Sequence, residues 1–184
     1  QNGKLFKWKP ILMSDHSIWL RPAHDDLVFL EKIVRELAQR FKSPVFEPHA
    51  TLVPDMNLSA EDLLPHVLSL AIGRKPLELL IEDVTGSDAY FRSFYAALEK
   101  APALMRLKQD SLEISSESSL QSFMPHVSLA YGIEDTILKR AEMQRLSKQI
   151  SGRKLRFDRL VIVSSSSDTP IDDWIVKHEI YLRG

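Results

Sequence analysis

Cysteine is absent from the 184-residue sequence. Disulfide bonds, thiolate metal sites and a thiol nucleophile are therefore excluded. Because a chain without disulfides fits a reducing compartment, we expect a cytoplasmic protein. Hydrophobic residues make up 44% of the chain, which is enough for a core that needs no covalent or metal staple.

The sequence also has no excess of basic residues. It contains 24 lysines and arginines against 25 aspartates and glutamates, and its formal net charge is -1. Proteins that bind long nucleic acids through their phosphates usually carry a clear positive excess. The charge balance therefore favours a small or terminal phosphate ligand over a long duplex.

No apolar run approaches the roughly 20 residues that cross a bilayer, so we expect no membrane partner. The first residues carry Lys4, Lys7 and Lys9 with only short apolar pieces, and the chain does not begin with Met. They lack the long apolar stretch of a secretory signal. We interpret residues 1–15 as an N-terminal extension of truncated or artificial origin and place the functional domain at residues 16–184.

Strand-like and helix-like patterns of hydrophobic residues alternate along this domain. The sequence predicts strands over residues 17–20, 46–53, 77–84, 90–98, 122–130, 155–163 and 174–182. It predicts helices over residues 25–41, 59–72, 101–115 and 134–150, the second of them capped by Ser59. The pattern is typical of an α+β fold of antiparallel strands with outer helices.

The order of these elements repeats, which indicates an internal duplication. Trp19 precedes His49 by 30 residues, and Tyr95 precedes His126 by 31. Each half reads as strand, helix, histidine strand, helix and strand. We therefore predict one bilobal domain whose halves span about residues 16–86 and 87–184, with pseudo-symmetric lobes and an active-site cleft between them.

The two histidines lie in matching motifs. The first is Pro-His-Ala-Thr-Leu, at residues 48–52, and the second is Pro-His-Val-Ser-Leu, at residues 125–129. Alternate residues of a strand project from the same face. His49 should therefore project with Thr51 and His126 with Ser128, so that two imidazoles and two hydroxyls meet in the cleft.

Two imidazoles and two hydroxyls suit the hydrolysis of a phosphate ester. A neutral imidazole can take a proton from water, and a protonated one can give a proton to the leaving oxygen. The hydroxyls of Thr51 and Ser128 can donate to the phosphate oxygens, where charge must be held in the transition state. This chemistry requires no cofactor, no metal and no covalent intermediate.

With these paired motifs the sequence resembles the 2H phosphoesterases, and within them the cyclic phosphodiesterase branch. Residues 44–52 and 123–132 resemble the two motifs of that branch, and Trp19 and Trp174 fit its opening and closing strands. The resemblance implies hydrolysis of 2′,3′-cyclic nucleotides or of ADP-ribose 1″,2″-cyclic phosphate to a monophosphate ester. The site residues that it implies, with both histidines catalytic and the other three at the phosphate, are His49, His126, Thr51, Ser128 and Tyr131.

The resemblance favours His126 as the base and His49 as the acid, although pseudo-symmetry leaves the reverse assignment open. Trp19 is a candidate for stacking on a nucleotide base or, equally, a core residue. Arg92 is a candidate phosphate contact, with a solvated arginine as the alternative. The remaining histidines, which lack metal-ligand spacing, are His16, His24, His66 and His178.

Two other functions stay open. One is an RNA-terminus enzyme of the 2′–5′ RNA ligase or phosphodiesterase type, and the other is a non-catalytic nucleotide-binding module on the same fold. We expect a monomer whose partner is a small cyclic phosphate nucleotide, with RNA ends as the alternative ligand.

Overall fold

The computed structural model describes residues 15–117 and 119–184, so the predicted extension lies outside it apart from Asp15. The described strands are β1 His16–Pro22, β2 Ala50–Met56, β3 Leu77–Thr85, β4 Phe94–Leu98, β5 His126–Ala130, β6 Lys154–Ser164 and β7 Ile175–Tyr181. The α-helices are α1 His24–Phe41, α2 Ala60–Ala71, α3 Pro102–Ser111 and α4 Ile137–Ile150.

The described strands form one antiparallel sheet, which confirms the predicted α+β class. The strand order is β1-β2-β5-β4-β3-β6-β7, and β1 also pairs with β6. This additional pairing closes six strands into a ring and leaves β7 attached to β6. Closure protects the strand edges that an open sheet would expose.

The two sequence halves exchange their third strands. Strand β3 belongs to the first half but pairs with β4 of the second half. Strand β6 belongs to the second half but pairs with β1 along most of its length. The two histidine strands, β2 and β5, therefore lie next to each other in the ring.

The helices pack their apolar stripes on the outside of this sheet. Helix α1 contacts β1 and β5, α2 contacts β6 and β7, α3 contacts β2, and α4 contacts β3. The stripe of α1 follows the helical period, with Leu30, Ile33, Val34 and Leu37 all buried. One large cluster of buried side chains joins the helices to the sheet.

Prolines shorten the two predicted histidine strands at their starts. The strand predicted over residues 46–53 begins only at Ala50, and the one predicted over 122–130 begins at His126. Pro48 and Pro125 precede the histidines and have no N–H to give to a strand ladder. His49 consequently lies one residue before β2, and His126 is the first residue of β5.

Other boundaries differ for local reasons. The strand predicted over residues 90–98 starts as a 3₁₀ turn at Tyr90–Arg92 and becomes extended only at Phe94. Helix α4, predicted from residue 134, starts at Ile137 because the Thr136 side chain caps it by accepting the N–H of Lys139 at 3.1 Å. The predicted N-cap of α2 is confirmed, since Ser59 accepts the N–H of Asp62 at 3.0 Å.

Candidate active site

A cavity of about 460 Å³ opens at the junction of β2 and β5. Side chains from both sequence halves line it. Its wall contains all six site residues predicted from the sequence, namely Trp19, His49, Thr51, His126, Ser128 and Tyr131. The structure therefore brings the two motifs into one site, as their matching positions indicate.

The two histidine segments, residues 44–52 and 123–132, meet at one point of the sheet. Ala50 of β2 pairs with Val127 of β5, and this is the one register pair between the two strands in the described part of the chain. Each of these residues directly follows a histidine. The pairing therefore places His49 and His126 in the wall of the same cleft.

Each imidazole is held through its Nδ1 atom by the backbone of its own segment. Nδ1 of His49 lies 2.8 Å from the carbonyl oxygen of Glu47, and Nδ1 of His126 lies 2.7 Å from that of Met124. A carbonyl oxygen only accepts hydrogen bonds, so Nδ1 must carry the proton in both rings. The neutral tautomer then leaves the Nε2 lone pair of each histidine available for proton transfer.

Each imidazole also packs against an aromatic ring from the neighbouring strand. His49 stacks on Trp19 with centroids 3.5 Å apart and an interplanar angle of 8°. His126 meets Tyr95 edge to face at 5.1 Å. The same two aromatic residues lie opposite the two hydroxyl residues, since Trp19 pairs with Thr51 and Tyr95 with Ser128.

Burial makes His49 hard to protonate. The side chain is 8% exposed, and this burial lowers the pKa of its imidazole from 6.5 to about 4. The hydrogen bond to the Glu47 carbonyl opposes this shift, and positive charge on His126 adds to it. His49 is therefore neutral at pH 7, and protons on the two rings disfavour each other.

His126 is less deeply buried, and its environment contains a cation. Burial is again the largest effect and lowers the pKa of the His126 imidazole below 6.5. The Met124 carbonyl raises this pKa, while the guanidinium of Arg92 lowers it. Arg92 also lines the cavity, so its charge is available to an anionic ligand there.

The two hydroxyl residues differ in how deeply they are buried. Ser128 is buried and its hydroxyl donates to the carbonyl oxygen of Phe91 at 2.6 Å. Thr51 is half-buried in the cavity wall. Because a serine hydroxyl has a single proton, Ser128 must turn away from Phe91 before it can donate to a phosphate oxygen.

Tyr131 and Trp19 are both buried. Tyr131 is buried and stacks on Phe46 with centroids 3.7 Å apart. Burial raises the pKa of its phenol, so the group remains a neutral hydroxyl. Trp19 is 3% exposed and one face of its indole is covered by His49.

The sequence did not identify several residues of the cavity wall. Phe91 and Trp174 are half-buried there, with ring centroids 6.2 Å apart. Asp55 lies at the far end of β2, where its carboxylate accepts the Ser17 hydroxyl at 3.3 Å. Two of these residues are noticeable in the sequence, since Trp174 fits the closing strand of the family that the chain resembles and Lys108 occupies a position on the buried stripe of α3.

Residues 15–117 and 119–184 contain no group of three or more histidines, aspartates or glutamates arranged to hold a metal ion. None of their helices combines the length and apolar character needed to cross a bilayer.

The chain is similar in sequence to known proteins. The sequence model of a family described as cyclic phosphodiesterase-like proteins matches residues 13–182. A cyclic phosphodiesterase from Arabidopsis thaliana is 23% identical over 163 residues, which cover 86% of this chain and 90% of the relative.

Solved structures show the same fold at low identity. Escherichia coli LigT, crystallised with 3′-AMP, superposes with a TM-score of 0.59 at 13% identity and covers 94% of this chain and 99% of its own. The protein TT0787 of Thermus thermophilus superposes with a TM-score of 0.58 at 16% identity, with 92% and 98% covered.

Proposed function

Because the chain belongs to the family of cyclic phosphodiesterase-like proteins within the 2H phosphoesterases, we propose that it hydrolyses a cyclic phosphodiester. The substrate class is 2′,3′-cyclic nucleotides or ADP-ribose 1″,2″-cyclic phosphate, and the product is a monophosphate ester. The observation that carries this proposal is the pair of imidazoles in one cavity, each fixed through Nδ1 to a backbone carbonyl. Both Nε2 atoms are thereby left to exchange protons with a ligand.

In this mechanism one histidine activates water and the other protonates the leaving oxygen. Nε2 of the base takes a proton as the water oxygen bonds to phosphorus. The ring P–O bond breaks, and the freed ribose oxygen takes the proton from Nε2 of the acid. The sum is one cyclic diester and one water giving one monoester, and each proton transfer contributes about 10²- to 10⁴-fold in rate.

The electrostatics favour His49 as the base and His126 as the acid, the reverse of the assignment that the resemblance favours. His49 has a pKa of about 4 and is neutral at pH 7, as a base must be. His126 is less enclosed, and an anionic phosphate beside it would favour its protonated form. Since positive charges on the two rings disfavour each other, protonation of both rings at once is disfavoured, which suits a pair with one base and one acid.

The hydroxyls of Thr51 and Ser128, with Tyr131 nearby, are proposed to hold the non-bridging oxygens. Donors aimed at developing negative charge typically contribute about 10²- to 10³-fold each in a water-poor site. Ser128 would exchange its bond to the Phe91 carbonyl for one to the phosphate. The neutral phenol of Tyr131 keeps its proton for donation, because burial raises its pKa.

A nucleotide is the ligand class that these surroundings support. The cavity wall offers half-buried aromatic rings at Phe91 and Trp174, on which a base could stack. Trp19, the residue predicted for base stacking, has one indole face against His49. E. coli LigT, which shares the fold, was crystallised with 3′-AMP.

Turnover assays on defined substrates test the proposal. We would incubate the protein in EDTA with each 2′,3′-cyclic nucleotide and with ADP-ribose 1″,2″-cyclic phosphate, and assign the product's phosphate position by phosphorus NMR. We expect a single monoester regioisomer without added metal. Activity confined to RNA oligomers would support the RNA-terminus function, and binding without turnover would support a non-catalytic module.

A further inference from the structure

Lys108 is a fully buried lysine that the proposed chemistry does not use. It lies on α3 at 1% exposure, in the buried stripe that also contains Leu104, Leu107 and Ser111. Lysine is almost never fully buried unless it is paired, because an ammonium removed from water without partners is strongly disfavoured. Its contacts should therefore show what the charge is needed for.

Among the residues that the structure describes, the ammonium of Lys108 contacts three partners. Its Nζ donates to the carbonyl oxygen of Leu52 at 2.7 Å. It forms an ion pair with Glu117, whose carboxylate also accepts the Ser115 hydroxyl at 3.2 Å. It also lies 4.8 Å from the ring centroid of Phe123, within cation–π range.

Two of these partners belong to the two histidine segments. Leu52 follows His49 by three residues, and Phe123 precedes His126 by three. Beyond the Ala50–Val127 pair, β2 and β5 have no further register pair in the described residues. Lys108 thus contacts both segments where the strands separate to form the cleft.

We propose that Lys108 is a positioning residue that sets the distance between the His49 and His126 segments by binding both from beneath the cleft. The kinetic part of its test rests on the proposed function, because it measures the hydrolysis of a cyclic nucleotide. The inference concerns position and not ligand binding, because the lysine is 1% exposed and its ammonium already contacts Leu52, Glu117 and Phe123. Lys108 therefore acts through the two histidines and does not contact the phosphate.

The test compares three variants. Lys108→Met removes the charge and keeps the length of the side chain, and Lys108→Arg keeps donors for Leu52 and Glu117. Lys139→Met is the matched control, because Lys139 is 3% exposed and donates to the carbonyls of Ser87 and Ile133 but is not part of the cavity wall. Circular dichroism and thermal midpoints report folding, and kcat and KM are measured on a cyclic nucleotide.

We expect Lys108→Met to lower kcat about 10- to 100-fold, since displacing reacting groups by about 1 Å costs up to about 100-fold. KM should change less than about threefold, because no ligand contact is lost. Lys108→Arg should recover most of kcat, and Lys139→Met should keep kcat within about twofold. A kcat for Lys108→Met equal to that of Lys139→Met, or a loss confined to KM, would overturn the proposal.

Nitrogen-15 NMR of the imidazoles separates this inference from the proposed function. In Lys108→Met the ring signals of both His49 and His126 should shift relative to wild type, and in Lys139→Met they should not. Unmoved signals would overturn the positioning role even if the enzyme is active. If wild type hydrolyses no cyclic phosphate while Lys108→Met shifts both rings, the positioning role stands and the proposed function fails. A Lys108→Met protein that does not fold is replaced by Lys108→Gln under the same criteria.

Discussion

Ala50 and Val127 pair across β2 and β5, and each directly follows one of the two histidines. The pair is formed by residues that lie 77 positions apart in the chain. The pair forms because the ring of strands places β2 beside β5. The topology of the sheet therefore brings the two histidines together. The hydroxyl residues Thr51 and Ser128 follow on the two strands and line the same cavity.

The pH dependence of kcat/KM should be bell-shaped and centred on the acid side of neutrality. The base must be neutral, so activity should rise through the pKa of His49, about 4. The acid must be protonated, so activity should fall above the pKa of His126, which burial places below 6.5. Initial rates between pH 3.5 and 9 would measure both limbs. A kcat/KM that does not depend on pH, or one that both rises and falls above pH 7, would contradict the assignment of His49 as the base and His126 as the acid.

The stability of the protein should also depend on pH through His49. Its pKa is lower in the folded state than the usual 6.5, so between pH 6.5 and 4 the unfolded chain binds more protons. The contribution of His49 to the free energy of unfolding is therefore fully present above pH 6.5 and is lost as the pH falls toward 4. From pH 7.5 to 5 the loss is on the order of 2 kcal/mol.

Urea unfolding of wild type and of His49→Gln at the two pH values measures this contribution. The glutamine side chain does not titrate, so the variant should lose on the order of 2 kcal/mol less than wild type between pH 7.5 and 5. All other titrating groups are common to both proteins. Equal losses in the two proteins would show that the His49 pKa is not lowered by folding.

Thr51 and Ser128 should each matter for turnover more than for folding. Thr51→Val and Ser128→Ala each remove a hydroxyl that is proposed to hold the phosphate, so we expect kcat/KM to fall by about 10²-fold or more. Thr136→Val is the matched control, because Thr136 caps α4 and its loss should lower stability by about 1 kcal/mol. If Thr51→Val and Thr136→Val gave the same kcat/KM, the phosphate role of Thr51 would be wrong.

Substitution of Trp19 distinguishes support of His49 from stacking on a base. The indole covers one face of the His49 imidazole, so Trp19→Phe should expose that ring and raise its pKa toward 6.5. The acid limb of kcat/KM should then move to higher pH, equally for all four cyclic nucleotides. Changes in KM that differ among the bases, with an unmoved limb, would instead support base stacking. Tyr181→Leu, a change of a half-exposed residue on β7, serves as the control.

The residues of the site could be predicted because their signals are local. Two-residue periodicity places each hydroxyl on the face of its histidine, and the repeated Pro-His motif identifies equivalent positions. The same prolines caused the main error at these strands, since they delay the first ladder bond until Ala50 and His126. A pattern of hydrophobic residues carries no information about the missing N–H of a proline.

Other features depend on contacts between distant parts of the chain. The pairing of β3 with β4 and of β6 with β1 exchanges strands between the halves, and no local pattern encodes it. Ser128 has its hydroxyl bonded to Phe91, a residue 37 positions away. Lys108 is a charged residue in an apolar stripe, and only the fold shows which carbonyl and which ring it contacts.

The most direct test of two-histidine catalysis is the kcat of His49→Gln, His126→Gln and the double variant on a 2′,3′-cyclic nucleotide in EDTA. We predict that each single variant loses at least about 10²-fold while remaining folded. Since the two imidazoles act as a unit, the kcat of the double variant should be only slightly below that of the slower single variant. Near-wild-type turnover in either single variant would contradict the mechanism.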